Sequence, residues 1–309
     1  MTETIAARRT TAPESGLGPL TPLAWRETRR YVRNPVFLAG VVFTAFAVKS
    51  WHAGAVQEIG TLSAYPAIFL GGFGMIAACW LTQSTRRSAE ALDVTPTTPQ
   101  ARTAALCAVA IVPFLLGCLS LLLFVRIQPL DGVWRYGAFS PSDRMAVLLS
   151  QLVVPTLGGP LLGIALARWV RFPGTAIVAF LFLYGWVSLI TILAWNHANS
   201  VPFVMLRFFA PFTFFTLTDG PYNVDTWRGS PWFFVGWQLG LCAVAVTVAL
   251  LRGADGRLKR RLIRVLVAAA AVTALMYALT VTGGWDHPVV SHLGQAPVPI
   301  GHSPHPTNR

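Results

Sequence analysis

Acidic residues are scarce in this chain: 12 Asp and Glu in 309 residues against 24 Lys and Arg, with charge of both signs at only 12%. An average soluble domain carries about 25% charged residues. The chain therefore lacks the polar cover that a water-soluble fold of its size wears. Cysteine is scarce too, and Cys79, Cys107, Cys118 and Cys242 each fall inside an apolar run without CxxC spacing. They read as small packing residues and not as a redox pair or zinc site. No GxxxxGK[ST] phosphate loop occurs, so the chain has no backbone nest of its own for ATP. No Asp, Glu, Lys or Arg lies deep within an apolar run, which removes the charged relays of proton- or ion-coupled carriers. Intramembrane proteolysis would want a Ser with a His, a HExxH helix or paired acids within spans, and none is found. A secretory leader is not expected either, since the first apolar run starts near Pro35 after a long basic lead.

Apolar residues, by contrast, make up 54% of the chain. A spanning helix needs about 20 mostly apolar residues, and runs of that kind fall at about 36–51, 62–82, 103–125, 146–168, 173–195, 231–251 and 264–282. The fold class expected is all-α: a polytopic membrane protein of about seven transmembrane helices. The net charge of +12 would suggest nucleic acid in a soluble protein, but here it follows topology, because Lys and Arg gather on the cytoplasmic side. With the N-terminus inside, that side holds Arg8, Arg9, Arg26, Arg29, Arg30, Arg33, then Arg86, Arg87, Arg102, then Arg168, Arg171, then Arg252, Arg257, Lys259, Arg260, Arg261 and Arg264. The other side holds Lys49, Arg126, Arg135, Arg144, Arg207, Arg228 and Arg309. The expectation is a multi-pass protein of the cell membrane with a cytoplasmic N-terminus and an outer C-terminus. Trp51, Trp80, Trp169, Trp195, Trp232 and Trp285 lie near run ends, where an amphipathic ring is comfortable.

Residues 1–19 read as a disordered lead, 20–283 as the transmembrane domain and 284–309 as a flexible outer tail. Leu20 to Asn34 reads as an interfacial helix with Arg26, Arg29, Arg30 and Arg33 on one stripe, ended by Pro35. Arg86 to Asp93 reads as a short surface helix, broken by Thr95-Pro96-Thr97-Thr98-Pro99. The Phe-rich stretch 196–230 is too apolar for a solvated loop and suggests an interfacial or re-entrant segment near Val201 to Phe215. Gly71-Gly72-Phe73-Gly74 reads as helix packing, and Gly159/Gly163 and Gly236/Gly240 have small-xxx-small spacing. Pro155 and Pro160 should free carbonyls in the fourth run. Gln151 in the fourth run and Gln238 in the sixth are the polar handles, each suited to bonding a neighbouring helix. His287, His292, His302 and His305 lack ligand spacing and a supporting Cys, so no metal and no cofactor is expected. A second reading, a membrane enzyme acting on a lipid-linked substrate, would want acidic residues grouped in the outer loops, and Asp131, Asp143, Asp219 and Asp225 stand singly there, which gives it little support.

Glu27-Thr28-Arg29-Arg30-Tyr31-Val32-Arg33-Asn34-Pro35-Val36-Phe37 resembles the interfacial elbow that enters the first span of ABC-2 type transporter permeases. Arg86-Arg87-Ser88-Ala89-Glu90-Ala91-Leu92-Asp93-Val94-Thr95-Pro96 resembles their loop between the second and third spans. Arg168-Trp169-Val170-Arg171-Phe172-Pro173-Gly174 resembles their inner turn between the fourth and fifth. The resemblance implies the membrane subunit of an ABC exporter, paired with a second permease subunit within membrane lipids. A separate ATPase subunit would dock on Arg86, Arg87, Glu90, Leu92, Asp93, Arg168 and Arg171. It implies no catalytic residue in this chain and no nucleic-acid partner. Many family members have six spans with both termini inside, whereas the seventh run here would send the tail out.

Overall fold

The computed structural model describes residues 20–49, 64–87, 98–127, 140–172, 174–196, 209, 216–219, 223–226 and 229–283. The expected lead 1–19, the loop 88–97, the re-entrant segment near Val201 to Phe215 apart from Phe209, and the tail 284–309 lie outside the described residues. In chain order come α1 (Leu20–Val32) and α2 (Pro35–Lys49), then a π-helical segment Ala67–Phe73 that runs into α3 (Gly74–Arg87). Next are α4 (Pro99–Ala108), α5 (Ile111–Ile127) and α6 (Pro141–Leu148), and a second π segment Leu149–Val153 that leads into α7 (Val154–Trp169). The chain continues through α8 (Thr175–Asn196), strands β1 (Thr216–Asp219) and β2 (Asn223–Thr226), α9 (Pro231–Leu251) and α10 (Gly256–Thr282).

The body is helical, as expected. Among the described residues, five stretches are long and apolar enough to cross a membrane: Ala64–Thr85, Pro99–Ile127, Pro141–Trp169, Pro231–Leu251 and Gly256–Thr282. The pair α1 and α2, bent by 65°, makes a sixth if taken as one broken span, and α8 adds a shorter apolar helix over Thr175–Ile190. This is consistent with a multi-pass membrane protein. One departure from an all-α fold is the hairpin β1–β2, antiparallel with Thr216 opposite Thr226 and Asp219 opposite Asn223.

Asn34-Pro35 both ends α1 and starts α2. Asn34 Oδ1 accepts from the Val36 backbone N–H at 2.9 Å, while Pro35 takes the first helical position, where a missing N–H is no loss. Tyr31 and Phe37 then meet across the bend with ring centroids 4.4 Å apart, both fully buried.

α7 is the central helix, packing on the first π segment, α3, α5, α8 and α9. It can lie there because Gly159 and Gly163 face bare backbone. A Cβ added at Gly159 would run into the Gly71 carbonyl, one at Gly163 into the Met75 carbonyl, and one at Gly71 would stand 2.8 Å from the Pro155 oxygen. The small-xxx-small pairs are thus intrachain seams, and Gly236 and Gly240 do the same for α9 against Met276 and Thr273 of α10.

The second π segment has its own logic. The Val154 N–H bonds the Leu149 carbonyl five residues back, so the next donor in that pattern would be residue 155 for Ser150. Pro155 has no N–H. The Ser150 carbonyl accepts instead from Gln238 Nε2 of α9 at 3.1 Å, which answers the rule that backbone at membrane depth must be hydrogen-bonded by protein.

Two outcomes check this packing. Gly159→Leu or Gly163→Leu should destabilise the protein by about 1–3 kcal/mol or more, the cost of overpacking, seen as a lowered Tm or loss of a monodisperse peak in detergent. Gly185→Leu, where an added Cβ meets nothing within 4 Å, should change neither. Gln238→Leu should cost about 1 kcal/mol, the scale of an interhelical hydrogen bond in a membrane protein. Pro155→Ala should recover part of that loss by supplying the missing N–H to Ser150, and a double-mutant cycle without coupling would refute the account.

Candidate docking face at the basic helix ends

The ends of α3, α7 and α9 and the starts of α4, α8 and α10 are joined by side chains that seek orphan carbonyls. A helix leaves its last four carbonyls without an intrahelical partner. For α9 these are answered largely from α7. Trp169 Nε1 donates to the Val248 carbonyl at 2.9 Å, and Arg168 Nε donates to that of Ala249 at 3.4 Å. Arg168 Nη2 also donates to the Arg252 carbonyl. Arg252 returns the favour: Nη1 donates to the Trp169 carbonyl at 3.0 Å, with its guanidinium 5.6 Å from the centre of the Trp169 ring. A cation at a helix C-terminus is also favoured by the helix dipole. The ends of α7 and α9 thus cap each other.

Three further bonds extend this layer. Gln100 Nε2, at the start of α4, donates to the Gly253 carbonyl, in a turn where Gly253 takes φ +83° and Gly256 φ +53°. Gln83 Nε2 of α3 donates to the Phe172 carbonyl at 3.1 Å, holding the α7–α8 turn. Arg30 of α1 donates from Nη2 to Ser84 Oγ at 3.3 Å while pairing with Glu27 at 3.2 Å.

The face built on this layer is basic. It carries Arg26, Arg29, Arg30 and Arg33 on α1, Arg102 on α4, Arg171 in the turn, and Arg257, Lys259, Arg260, Arg261 and Arg264 on α10, with Glu27 and Asp255 the acidic residues there among those described. The opposite helix ends carry Lys49, Arg126, Asp143 and Arg144. On α10, Arg257, Arg260, Arg261 and Arg264 stand at i, i+3, i+4 and i+7 and are exposed, so they form one stripe. Asp255 is the N-cap of that helix, the sign that a helix start favours, and the stripe runs from there two turns along the exposed side.

The expected docking residues divide. Arg86 and Arg87 close α3 at this end, described by backbone only, and Glu90, Leu92 and Asp93 lie outside the described residues. Arg171 is exposed on the face. Arg168 turns its guanidinium into the carbonyls that end α9. Residues to which the sequence reading gave no part in docking hold the face together: Gln83, Gln100, Trp169 and Arg252. Their signal was weak, since each bond joins positions far apart in the chain. The histidines of the tail lie outside the described residues, and among those described no group of three His, Cys, Asp or Glu could hold a metal ion.

No protein-family model matches the chain, and a search of curated proteins finds no match.

Removing the reciprocal cap should loosen the body. Arg168→Ala should lower stability by about 1–3 kcal/mol, the penalty for stranding charge-assisted partners, and Arg168→Lys should not restore it, because an ammonium cannot reproduce the two-point fork. Arg171→Ala should leave thermal unfolding in detergent unchanged. Equal effects at both positions would contradict the capping role.

Proposed function

We propose that the chain is the membrane-spanning permease subunit of an ATP-driven ABC-2 type exporter, acting with a second permease subunit and a separate ATPase subunit. In this reading ATP hydrolysis belongs to the partner. The chain crosses the cell membrane about seven times, α8 included, with its N-terminus cytoplasmic and α1 lying in the inner interface as the elbow. The observation that carries the reading is the 65° bend between the Arg-striped α1 and α2, together with the bond from Arg30 to Ser84 near the end of α3. The segment Arg86 to Asp93 begins at that same end. A push on that loop by an ATPase would reach α1 through Ser84 and the α7–α8 turn through Gln83. From the turn it would pass into α7, the helix that touches most of the others. Closure of the partner subunits could thus be converted into movement of the spans by a stiff layer of side chains.

The orientation is supported by the imbalance of Lys and Arg between the two sets of helix ends, which in membrane proteins marks the cytoplasmic side. Reporter fusions test it: a reporter placed in the Arg252–Gly253 turn should report inside and one after Thr282 outside. The opposite pattern would invert the docking face and end the exporter reading in this form.

The partner is tested by mild-detergent capture of the tagged protein from its native membranes with mass spectrometry of what co-purifies. An ATPase subunit bearing a phosphate loop should be recovered, and Glu90→Lys with Asp93→Lys should lose it. Recovery of no ATPase, under conditions that preserve a control complex, would overturn the proposal and direct attention to a membrane enzyme with a lipid-linked substrate. In that case substitution of Asp219 or Asp225 should abolish function while Glu90 and Asp93 are dispensable.

A further inference from the structure

Between α7, α8 and α9 the body is not closed. A half-open cavity of about 420 Å³ runs there, walled by one stripe of α7 from Val154 to Trp169, one stripe of α9 from Gln238 to Val248, and Leu183 of α8. The walls are almost wholly apolar, and the space exists because small residues line it: Gly158, Ala165 and Ala245. A Cβ added at Gly158 would meet only Cys242 Sγ, at 3.3 Å.

Length and charge say what fits. At 1.5 Å per residue the α9 wall from Gln238 to Val248 is about 15 Å long and the α7 wall from Val154 to Trp169 about 22 Å, half to three quarters of a hydrocarbon core of roughly 30 Å. One end of the groove is Gln238, whose amide is committed to the Ser150 carbonyl. The other end is Trp169, with the Arg252 guanidinium beside its ring and Arg171 exposed two positions further along the chain. The groove is therefore long enough for much of an acyl chain, greasy along its length, open at the side and cationic at its mouth. An unfilled cleft of this shape would leave its lining without dispersion partners. A guanidinium fork at the mouth matches the oxygens of a phosphate.

We propose that this groove seats an acyl chain of an anionic phospholipid, drawn from the leaflet on the basic side of the bundle, with its phosphate at Arg252 and Arg171. The exposed arginine stripe of α10 lies on the same side and is suited to the same anionic surface. The inference rests on these helices crossing a membrane and is independent of any ATPase.

The test uses the purified full chain in vesicles doped with a diazirine-bearing phosphatidylglycerol, or with the matching phosphatidylcholine probe, and maps the photolabelled peptides. Label from the anionic probe should concentrate on 154–169 and 238–248 over the exposed α10 face at Val265, Val267, Val272 and Leu275. It should exceed the phosphatidylcholine label there about fivefold, roughly what one arginine beside an anionic headgroup is worth. Ala245→Phe should remove the groove label and spare the α10 label, and Arg252→Gln should erase the preference for the anionic probe while keeping the chain in place. Label spread evenly over groove and α10 in the unaltered protein would overturn the proposal without recourse to any variant. Undiminished groove label in a folded Ala245→Phe protein, or equal labelling by the two probes, would overturn it too.

Discussion

Everything in the fold depends on how closely α7 can approach its neighbours. Lipid offers no hydrophobic gain for bringing two apolar helices together, so contact must come from tight packing and interhelical hydrogen bonds. Gly159 and Gly163 set α7 against the carbonyls of Gly71 and Met75, and that closeness brings α7 within reach of the other helices at once. The first π segment belongs to the same arrangement, since the widened turn at Ala67–Phe73 presents Gly71 where Pro155 and Gly159 come nearest. Larger side chains anywhere along this seam would move α7 outward and open its contacts with α5, α8 and α9 together.

Close approach creates a second demand, because backbone pressed into an apolar body must still be hydrogen-bonded. The chain meets it with side chains. Deep in the bundle the amide of Gln238 stands in for the N–H that Pro155 lacks, and Thr156 and Ser150 turn their hydroxyls onto the carbonyls of Val153 and Val147. At the basic end, where helices stop, Arg168, Trp169, Gln83 and Gln100 reach across to carbonyls that helix geometry strands. The rule that builds the interior thus builds the face as well. A layer of helix ends fastened to one another transmits displacement sideways, which is what the proposed coupling to an ATPase asks of it.

Much of the fold was legible in the sequence because apolar run length is a strong signal. The runs at 103–125, 146–168 and 231–251, and the run at 62–82 from residue 64 on, fall within helical stretches of the structure, and the break at Asn34-Pro35 was plain from proline geometry. The losses have physical reasons. α10 begins at Gly256, before the apolar run at 264, because arginines are good helix formers and a helix needs no apolar residues where it leaves the membrane. The helix leading into α7 begins at Pro141, where Ser140 Oγ accepts from the Asp143 N–H at 3.1 Å. That cap signature was readable but hidden by the search for apolar runs, and it carries the buried Arg144 into the structure. The π segments were invisible, since an extra residue in a turn leaves no mark on composition. Of the candidate site, the basic character was legible and the fastening was not: Arg168 and Arg171 look alike in sequence, and only the position of α9 separates the one turned into carbonyls from the one left exposed.

Trp169 ties the two proposals together. Its indole N–H caps α9, its carbonyl accepts from Arg252, and its ring closes the mouth of the groove between α7, α8 and α9. An acyl chain in that groove would fill the gap between helices that the layer at the basic end already joins. Its phosphate would draw on the guanidinium that also caps α7. Lipid and cap therefore act on the same pair of helix ends, and the stiffness of the layer follows from both. If the α7–α8 turn is where an ATPase presses, a leaflet rich in anionic lipid tightens the joint through which the push travels, whereas a neutral leaflet leaves Arg252 with the Trp169 carbonyl and ring alone.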